Sequence, residues 1–198
     1  MRLGRQKVVR AALELLNEVG LDGLTTRRLA EELGVQGPAL YWHFKNKQEL
    51  IDEMARALLT HSYGPMQPGQ DWSEWLADGA RRLRRSMLSY RDGARLMAGY
   101  RPSEEHGRLD PEVMFGPLSA AGFTRMEAFF AVLTVGQFSF GWTMDEQAAM
   151  DRSHIAKPWL NPDEGFEFGL ATIIAGLKSR LTNPATASTM AAAPEVIG

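Results

Sequence analysis

The spacing of apolar residues is the feature that most restricts what this chain can fold into. Apolar side chains recur at three- and four-residue intervals along most of the sequence, as in the set Val8, Val9, Ala12, Leu13, Leu16 and Val19. Runs in which apolar and polar residues alternate, which would indicate strands, are almost missing. The sequence therefore predicts an all-α fold.

Residues that begin and end helices divide the chain into segments. Gly20 and Gly34 are predicted to end the first two helices, because glycine readily adopts the left-handed conformation found after a helix. Thr25 is predicted to cap the second helix, and Pro38 to lie in the first turn of the third. Capping pairs predict four later starts: Asn46 with Glu49, Asp71 with Glu74, Thr124 with Glu127, and Asn161-Pro162 with Glu164. A helix is also predicted from Pro111 to Gly122, and a further helix is expected to carry Met97 and Tyr100.

The composition excludes several classes of protein. The chain has 198 residues, of which 44% are hydrophobic and 23% charged, so it can bury a core. It contains no cysteine, which excludes disulfides, thiolate metal sites and cysteine nucleophiles and fits a reducing compartment. No apolar stretch reaches the roughly 20 residues that a bilayer span needs. We expect a cytoplasmic protein with no membrane partner.

Charge and composition suggest a small head on a larger body. Residues 1–47 carry eight Lys or Arg and five Asp or Glu, whereas the remainder is acidic overall. A basic head favours a polyanionic partner. We predict a DNA-binding domain at 1–47 and a second domain at 48–181, with a connecting helix at 46–62. Residues 182–198 are rich in Ala, Thr, Ser and Pro and are expected to form a disordered tail.

The stretch from Thr25 to Lys47, TTRRLAEELGVQGPALYWHFKNK, has the pattern of a helix-turn-helix. Its second helix would enter the major groove, with Gln36, Gly37, Pro38 and Ala39 facing the base edges. Tyr41 and His43 would bind phosphates one turn further on, and Lys47 would add charge at the start of the next helix. The alternative is a pair of short helices whose lysines lie on a solvated face.

The sequence around this motif resembles the tetracycline repressor family. The resemblance includes AALELLNEVGLDGLTTRRLAEELGV and ALYWHFKNK in the head. It continues in the body with LSYRDGARL, GYRP, AAGFTRMEAFFAVLTVGQFSFGW and GFEFGLATIIAGLKSRL, and so covers most of residues 5–181. It implies an all-helical homodimer that binds a palindromic operator and is released by a small-molecule inducer.

The resemblance also assigns residues that contact DNA. The matching positions are Thr26, Arg27, Pro38, Tyr41 and Lys47. Arg27 is the best candidate for a base contact, because arginine can bind guanine through two hydrogen bonds. Gly37 departs from the pattern, since the family's namesake has a base-reading glutamine there. The operator sequence is therefore not expected to be shared.

In the body, the resemblance and the residue types together indicate an inducer site. The candidate residues are His61, Tyr63, Gly79, Leu83, Met97, Tyr100, Gln137, Phe138, Trp142 and Asp145. Met97 stands where the namesake has a histidine that binds Mg²⁺, and a thioether is a poor ligand for that ion. We therefore expect no metal and no cofactor, and an antibiotic or another flat apolar compound as the ligand. Ordinary core packing is the alternative for each of these side chains.

Two other functions compete with a ligand-responsive repressor. An enzyme is disfavoured, because the chain has no nucleophile elbow, phosphate-binding glycine loop or H-E-x-x-H motif. A DNA-binding dimer that activates transcription, or that has no inducer, stays open. Two predicted helices, at 125–148 and 162–181, would expose large apolar surfaces in a monomer and are expected to form a four-helix bundle with a second copy.

Overall fold

The structure is a computed structural model that describes residues 4–60, 62–101, 111–151 and 161–182. Within these ranges the chain forms helices and no strand, which confirms the all-α prediction. The helices are α1 (Arg5–Gly23), α2 (Thr26–Glu32), α3 (Pro38–Tyr41), α4 (Lys47–Thr60), α5 (Trp72–Leu88), α6 (Gly93–Ala98), α7 (Pro111–Ala120), α8 (Arg125–Asp151) and α9 (Pro162–Thr182). The predicted tail lies outside the described residues beyond Thr182.

The head consists of α1, α2 and α3 packed against α4. Its core is formed by apolar side chains that the helical periodicity places on the inner faces, among them Val8, Ala12, Leu16, Leu29, Leu40 and Met54. Arg5 ties the start of α1 to α4, because its guanidinium donates to the carboxylates of Glu49 at 2.8 Å and Glu53 at 3.3 Å. The head is thus held together by a small apolar core and a partly buried ion pair.

The end of α1 differs from the prediction. Gly20 has a left-handed φ of 69°, as expected of a helix terminator, but the chain forms one further turn that reaches Gly23. This turn closes with a hydrogen bond from the Leu24 N–H to the Gly20 carbonyl at 3.1 Å. The Leu21 N–H is left without a helical acceptor, and the Asp92 carboxylate accepts its hydrogen bond at 2.8 Å.

The body is built around α5, which packs along α8, while α8 also packs against α7 and α9. Fully buried side chains of α5 include Trp75, Leu76, Ala80 and Met87. The capping predictions for the long helices are confirmed. Asp71 accepts from the Ser73 and Glu74 amides at the start of α5, and Thr124 exchanges hydrogen bonds with Glu127 before α8. Asn161 likewise accepts from the Asp163 amide before α9.

Helix α6 carries Met97, as expected, whereas Tyr100 lies just beyond its end. Its six residues, Gly93–Ala98, follow Asp92, whose left-handed φ of 58° ends the preceding turn. Such a short helix is stabilised by tertiary packing. Ala94 and Leu96 are fully buried, and Gln147 of α8 accepts a hydrogen bond from the Ala94 amide at 2.9 Å. Contacts with α4, α5 and α8 therefore order a segment whose sequence carries only turn signals.

Large apolar side chains are exposed along α8 and α9. They are Met126, Phe129, Phe130, Leu133 and Phe168. In the part of the chain that the structure describes, no single helix is long and apolar enough to cross a bilayer. Helices α7 and α8 reach that composition only as a pair, and the pair is bent by 110°. The exposed side chains instead form a face that a second protein chain can cover.

Candidate functional site

The helix-turn-helix geometry arises from three local features. Thr25 caps α2, since its hydroxyl oxygen accepts from the Arg28 amide at 3.2 Å. Gly34 has a left-handed φ of 63°, which allows the tight turn between the two helices. Leu29 of α2 and Leu40 of α3 are buried and hold the pair together. The outer side of α3 is thereby left free to meet a partner.

The structure places the predicted DNA-contact residues on the surface of the head. The exposed ones are Arg27, Gln36, Pro38, Tyr41 and Lys47, and the half-buried ones are Thr26, Gly37 and His43. The guanidinium of Arg27 lies 2.9 Å from the Glu31 carboxylate, and both side chains are well exposed. A solvated pair of this kind is weak, so Arg27 can exchange Glu31 for a base or a phosphate.

Trp42 is an exposed residue of this surface that the sequence analysis missed. Its side chain is 88% exposed and lies directly after α3, next to Tyr41, which is 57% exposed. A usable signal was present in the sequence. Leu40 and Phe44 are four residues apart and share the buried face, which turns the residues between them towards solvent. An indole exposed at this place is a candidate for contact with a nucleic acid.

Helix α6 is bound to α1 through its acidic and basic side chains. Besides the contact between Asp92 and the Leu21 amide, Arg95 donates to the Asp22 carboxylate at 3.0 Å. Arg95 also bonds Asp92 at 3.1 Å. The hydrogen bond from Arg95 lowers the pKa of Asp22. The body thus contacts the head at the kink of α1.

Helix α6 is also bound to α4, the helix that leaves the head. Gln48 donates from its amide nitrogen to the Gly99 carbonyl at 2.8 Å. Asp52 accepts from the Arg101 backbone amide at 2.9 Å and from Gln48 at 3.0 Å. A displacement of α6 would therefore act on α1 and on α4 together.

Three of the predicted inducer-site residues lie in one buried cluster. Tyr63 is 5% exposed, and its ring packs beside α5 at Gly79. A Cβ atom at position 79 would overlap that ring, so the close approach requires glycine. Leu83 is buried one turn further along α5. Burial raises the pKa of the Tyr63 phenol, whose oxygen has no hydrogen-bond partner among the described residues.

Met97 and Tyr100, which are half-buried, lie at the end of α6 and just after it. The pKa of Tyr100 is raised by burial. Both residues are close in sequence to Gly99, whose carbonyl binds Gln48 of α4. A ligand that touched them would act on the connection between body and head. His61 lies outside the described residues.

The predicted residues of α8 do not face the Tyr63 cluster as a group. Phe138 stacks on Phe166 of α9, with ring centroids 5.3 Å apart, and Trp142 donates to the Pro162 carbonyl at 3.1 Å. Gln137 and Asp145 are exposed. These side chains therefore line the α8–α9 contact or the outer face of α8 within one chain, and their role in ligand binding stays a prediction.

An open groove of about 550 Å³ lies between α5 and α9. Its lining includes Asp78, Arg81, Leu170, Ile174 and Lys178 and none of the predicted inducer-site residues. Arg81 is held there by Glu167, which binds its guanidinium through two hydrogen bonds of 2.8 and 2.7 Å. The groove is thus separate from the Tyr63 cluster.

Comparison with known proteins identifies both parts of the chain. The model of the bacterial regulatory proteins of the tetR family matches residues 8–54, and the model of the tetracyclin repressor-like C-terminal domain matches residues 64–157. The chain belongs to the tetR family. It is a ligand-responsive transcriptional repressor and not an enzyme, because its relatives in this family are transcriptional regulators.

Similar members of the tetR family match almost the whole chain. The tetracycline repressor protein class C of Escherichia coli is 42% identical over 91% of this chain and 94% of its own length. A class A TetR solved with 5a,6-anhydrotetracycline and magnesium is 42% identical over 89% of this chain and 99% of that one, with a TM-score of 0.73. BioQ, solved with its double-stranded DNA operator, is 33% identical over 89% and 98%, with a TM-score of 0.69.

In the tetR family member solved with magnesium, the metal accompanies the drug. In the described part of this chain, no three or more His, Cys, Asp or Glu side chains are grouped so that they could hold a metal ion. Met97 offers only a thioether, a soft ligand that binds the hard Mg²⁺ ion poorly. The residues present at this position do not fit a magnesium ion.

Proposed function

We propose that this tetR-family repressor binds a near-palindromic DNA operator as a homodimer in the cytoplasm and is released by a flat apolar molecule bound in its body. The observation that carries the proposal is the double attachment of α6, to α1 through Asp92 and to α4 through Gln48. Because α6 also carries Met97, an event in the body can be passed to the head. The homodimer and duplex DNA fit the family.

On DNA, α3 would lie in the major groove with its exposed residues against the bases. Arg27 is proposed to read a base, and Tyr41 and Lys47 to hold the phosphates. Trp42 joins this set because its exposed ring can pack against a thymine methyl group or the sugar-phosphate backbone. Two such helices related by a two-fold axis require two half-sites of opposite orientation.

Selection from random duplexes tests the DNA-binding proposal. We expect the selection to enrich an inverted repeat. The logarithm of the binding constant should fall linearly with the logarithm of the salt concentration, with a slope that grows with the number of phosphates bound. Arg27→Ala should relax the preference at one base pair, by about 1–3 kcal/mol. Lys47→Ala should weaken binding to all sequences alike and reduce the salt slope by about one.

Arg85→Ala is the matched control, because Arg85 is an exposed arginine of α5 in the body. It should change neither the base preference nor the salt slope. The proposal would be overturned if the selection enriches no inverted repeat. If the Arg27 and Lys47 variants lose base preference equally, the division of roles between these two residues would be wrong.

Induction is proposed to begin at α6. A ligand that contacts Met97 and Tyr100 would displace Gly99, whose carbonyl holds Gln48 of α4. The distance between the two heads of the dimer would then no longer match the distance between successive major grooves. For this to release the operator, the ligand must bind the displaced conformation much more tightly than the DNA-bound one.

The inducer is proposed to bind without magnesium. Calorimetry with 5a,6-anhydrotetracycline should give the same affinity in Mg²⁺ and in EDTA, because the Met97 thioether is a poor ligand for that ion. Loss of metal and polar contacts worth about 1–3 kcal/mol each weakens drug binding about 5- to 150-fold per contact. A large gain in affinity on adding Mg²⁺ would contradict this expectation, and operator binding by the same preparation shows that the protein is active.

A further inference from the structure

The α3–α4 linker, residues 42–46, joins two groups of proposed DNA contacts. Tyr41 and His43 lie at its start, and Lys47 follows its end. These side chains keep a fixed spacing towards the phosphates only if the linker keeps a fixed shape. Helix α3 does not supply that rigidity alone, because it has only four residues. The residues that hold the linker therefore bear on DNA binding.

Arg5 of α1 contacts two successive residues of this linker. Its guanidinium donates to the His43 carbonyl at 2.7 Å. The same group lies over the ring of Phe44, 4.7 Å from the ring centroid, and Phe44 is buried. A guanidinium can form both contacts at once, because it is planar and carries its donors along its edge. Arg5 thus holds the linker through a hydrogen bond and a cation–π interaction.

The same guanidinium is also bound to α4. Its second terminal nitrogen donates to Glu49 at 2.8 Å and to Glu53 at 3.3 Å. These carboxylates are only 9% and 5% exposed, and Glu49 also accepts from the Lys45 backbone amide at 2.6 Å. Hydrogen bonds between ionised groups are stronger than those between neutral ones. Linker residues 43–45 are therefore bound to α1 and α4 through one arginine and one glutamate.

We infer that Arg5 is a positioning residue for operator recognition, which holds the α3–α4 linker against α4 so that His43 and Lys47 meet the phosphates in a fixed arrangement. The inference rests on the proposed function, because DNA binding is the activity that Arg5 supports. A linker that is ordered in the free protein loses less conformational freedom when DNA binds. Leu40 and Leu50 are buried on either side of the linker, so the head keeps its apolar core when Arg5 is replaced.

Arg56 of α4 provides a matched control in the same cluster. It donates to Glu53 at 2.7 Å, and its side chain is 37% exposed, against 36% for Arg5. Removal of either arginine takes away one positive charge and one hydrogen bond to Glu53. Within the described part of the chain, Arg5 bonds the linker and Arg56 does not. A difference between the two variants therefore reports on the linker contacts.

The test compares Arg5→Met with Arg56→Met in binding the inverted repeat that the selection enriches and a random duplex of equal length. Arg5→Met should weaken binding to the repeat about tenfold more than binding to the random duplex, the effect of about one lost hydrogen bond. Arg56→Met should weaken binding to both duplexes by the same small factor, because it removes only charge. Hydrogen exchange in residues 42–46 should be faster in Arg5→Met than in the wild type and unchanged in Arg56→Met.

Arg5→Lys is the second variant and decides the inference if circular dichroism shows that Arg5→Met does not fold. It keeps the charge without the planar fork, so it should bind the random duplex like the wild type and prefer the repeat less. The inference is overturned if a folded Arg5 variant keeps the wild-type preference for the repeat, or if Arg56→Met loses that preference equally. If the wild type enriches no repeat, the proposed function fails and the inference falls with it.

Discussion

At the scale of single residues, a buried arginine joins the three long helices of the body. Arg84 is only 8% exposed on α5 and donates twice to the Glu146 carboxylate of α8, at 2.9 Å each. Asp163 of α9 lies 2.7 Å away, and the guanidinium stacks 4.9 Å above the Phe166 ring. The side chains of Arg84 and Glu146 are 10% and 8% exposed, so these two form a buried pair, whereas Asp163 is 79% exposed.

Arg84→Ala is expected to lower the free energy of unfolding by about 3–5 kcal/mol, because it leaves the Glu146 carboxylate buried without its partner. Replacing both residues, as in Arg84→Met with Glu146→Leu, should recover most of this loss. Arg85→Ala, at an exposed position, should stay within about 0.5 kcal/mol of the wild type. Urea denaturation at a fixed protein concentration measures all three. A loss below about 1 kcal/mol in Arg84→Ala would show that the pair is solvated.

At the scale of helices, caps fix where the body begins. The hydrogen bond from the Ser73 hydroxyl, and after it the one from the Glu74 amide, lower the pKa of Asp71 below its ordinary value of 3.8. Because the folded-state pKa is the lower one, the unfolded chain binds more protons in acid. The stabilisation by Asp71 is therefore fully present well above pH 3.8 and is lost as the pH falls through the lower pKa of the folded state.

Asp71→Ala should lower the free energy of unfolding by about 0.5–2 kcal/mol at neutral pH, the usual value of an N-cap. The difference from the wild type should shrink as the pH falls below 3.8, where the wild-type cap becomes protonated. Glu14→Ala, at an exposed position in α1, is the control and should leave the free energy of unfolding within about 0.5 kcal/mol of the wild type. Denaturation curves between neutral and acidic pH measure this, and a difference that does not change with pH would rule out the carboxylate as its source.

Capping signals and periodicity were sufficient to predict most of the helices, because both act within a few residues. The bounds of helix α6 were not predicted, since its stability comes from Leu96 and from contacts with three distant helices. The helix-turn-helix was predicted from local spacing for the same reason. The place of Phe138 was not predictable, because its ring packs where Gly169 of α9 leaves space. Tertiary packing determines where a side chain such as that of Phe138 lies. The spacing of apolar residues within α8 does not indicate it.

At the scale of the whole molecule, the homodimer requires a face that one chain leaves uncovered. Phe129, Phe130 and Leu133 of α8 are 43%, 39% and 42% exposed, and Phe168 of α9 is 77% exposed. Ile174, which is also on α9, is half-buried and lines the α5–α9 groove. Phe168 is therefore the better residue with which to test the interface.

Phe168→Glu is expected to convert the dimer into a monomer. Full burial of a phenylalanine contributes about 1.5–3 kcal/mol, and a two-fold axis doubles the effect because each chain contributes the same residue. The substitution also brings two carboxylates to an apolar interface, which costs several kcal/mol more. Met66→Glu is the control, since Met66 is 41% exposed and belongs to the connection before α5, not to α8 or α9. Sedimentation velocity should show a monomer for Phe168→Glu and a dimer for Met66→Glu.

Operator affinity should fall steeply only in the monomeric variant, because one head binds a single half-site. A Phe168→Glu protein that stays dimeric with unchanged stability would place the interface on another face.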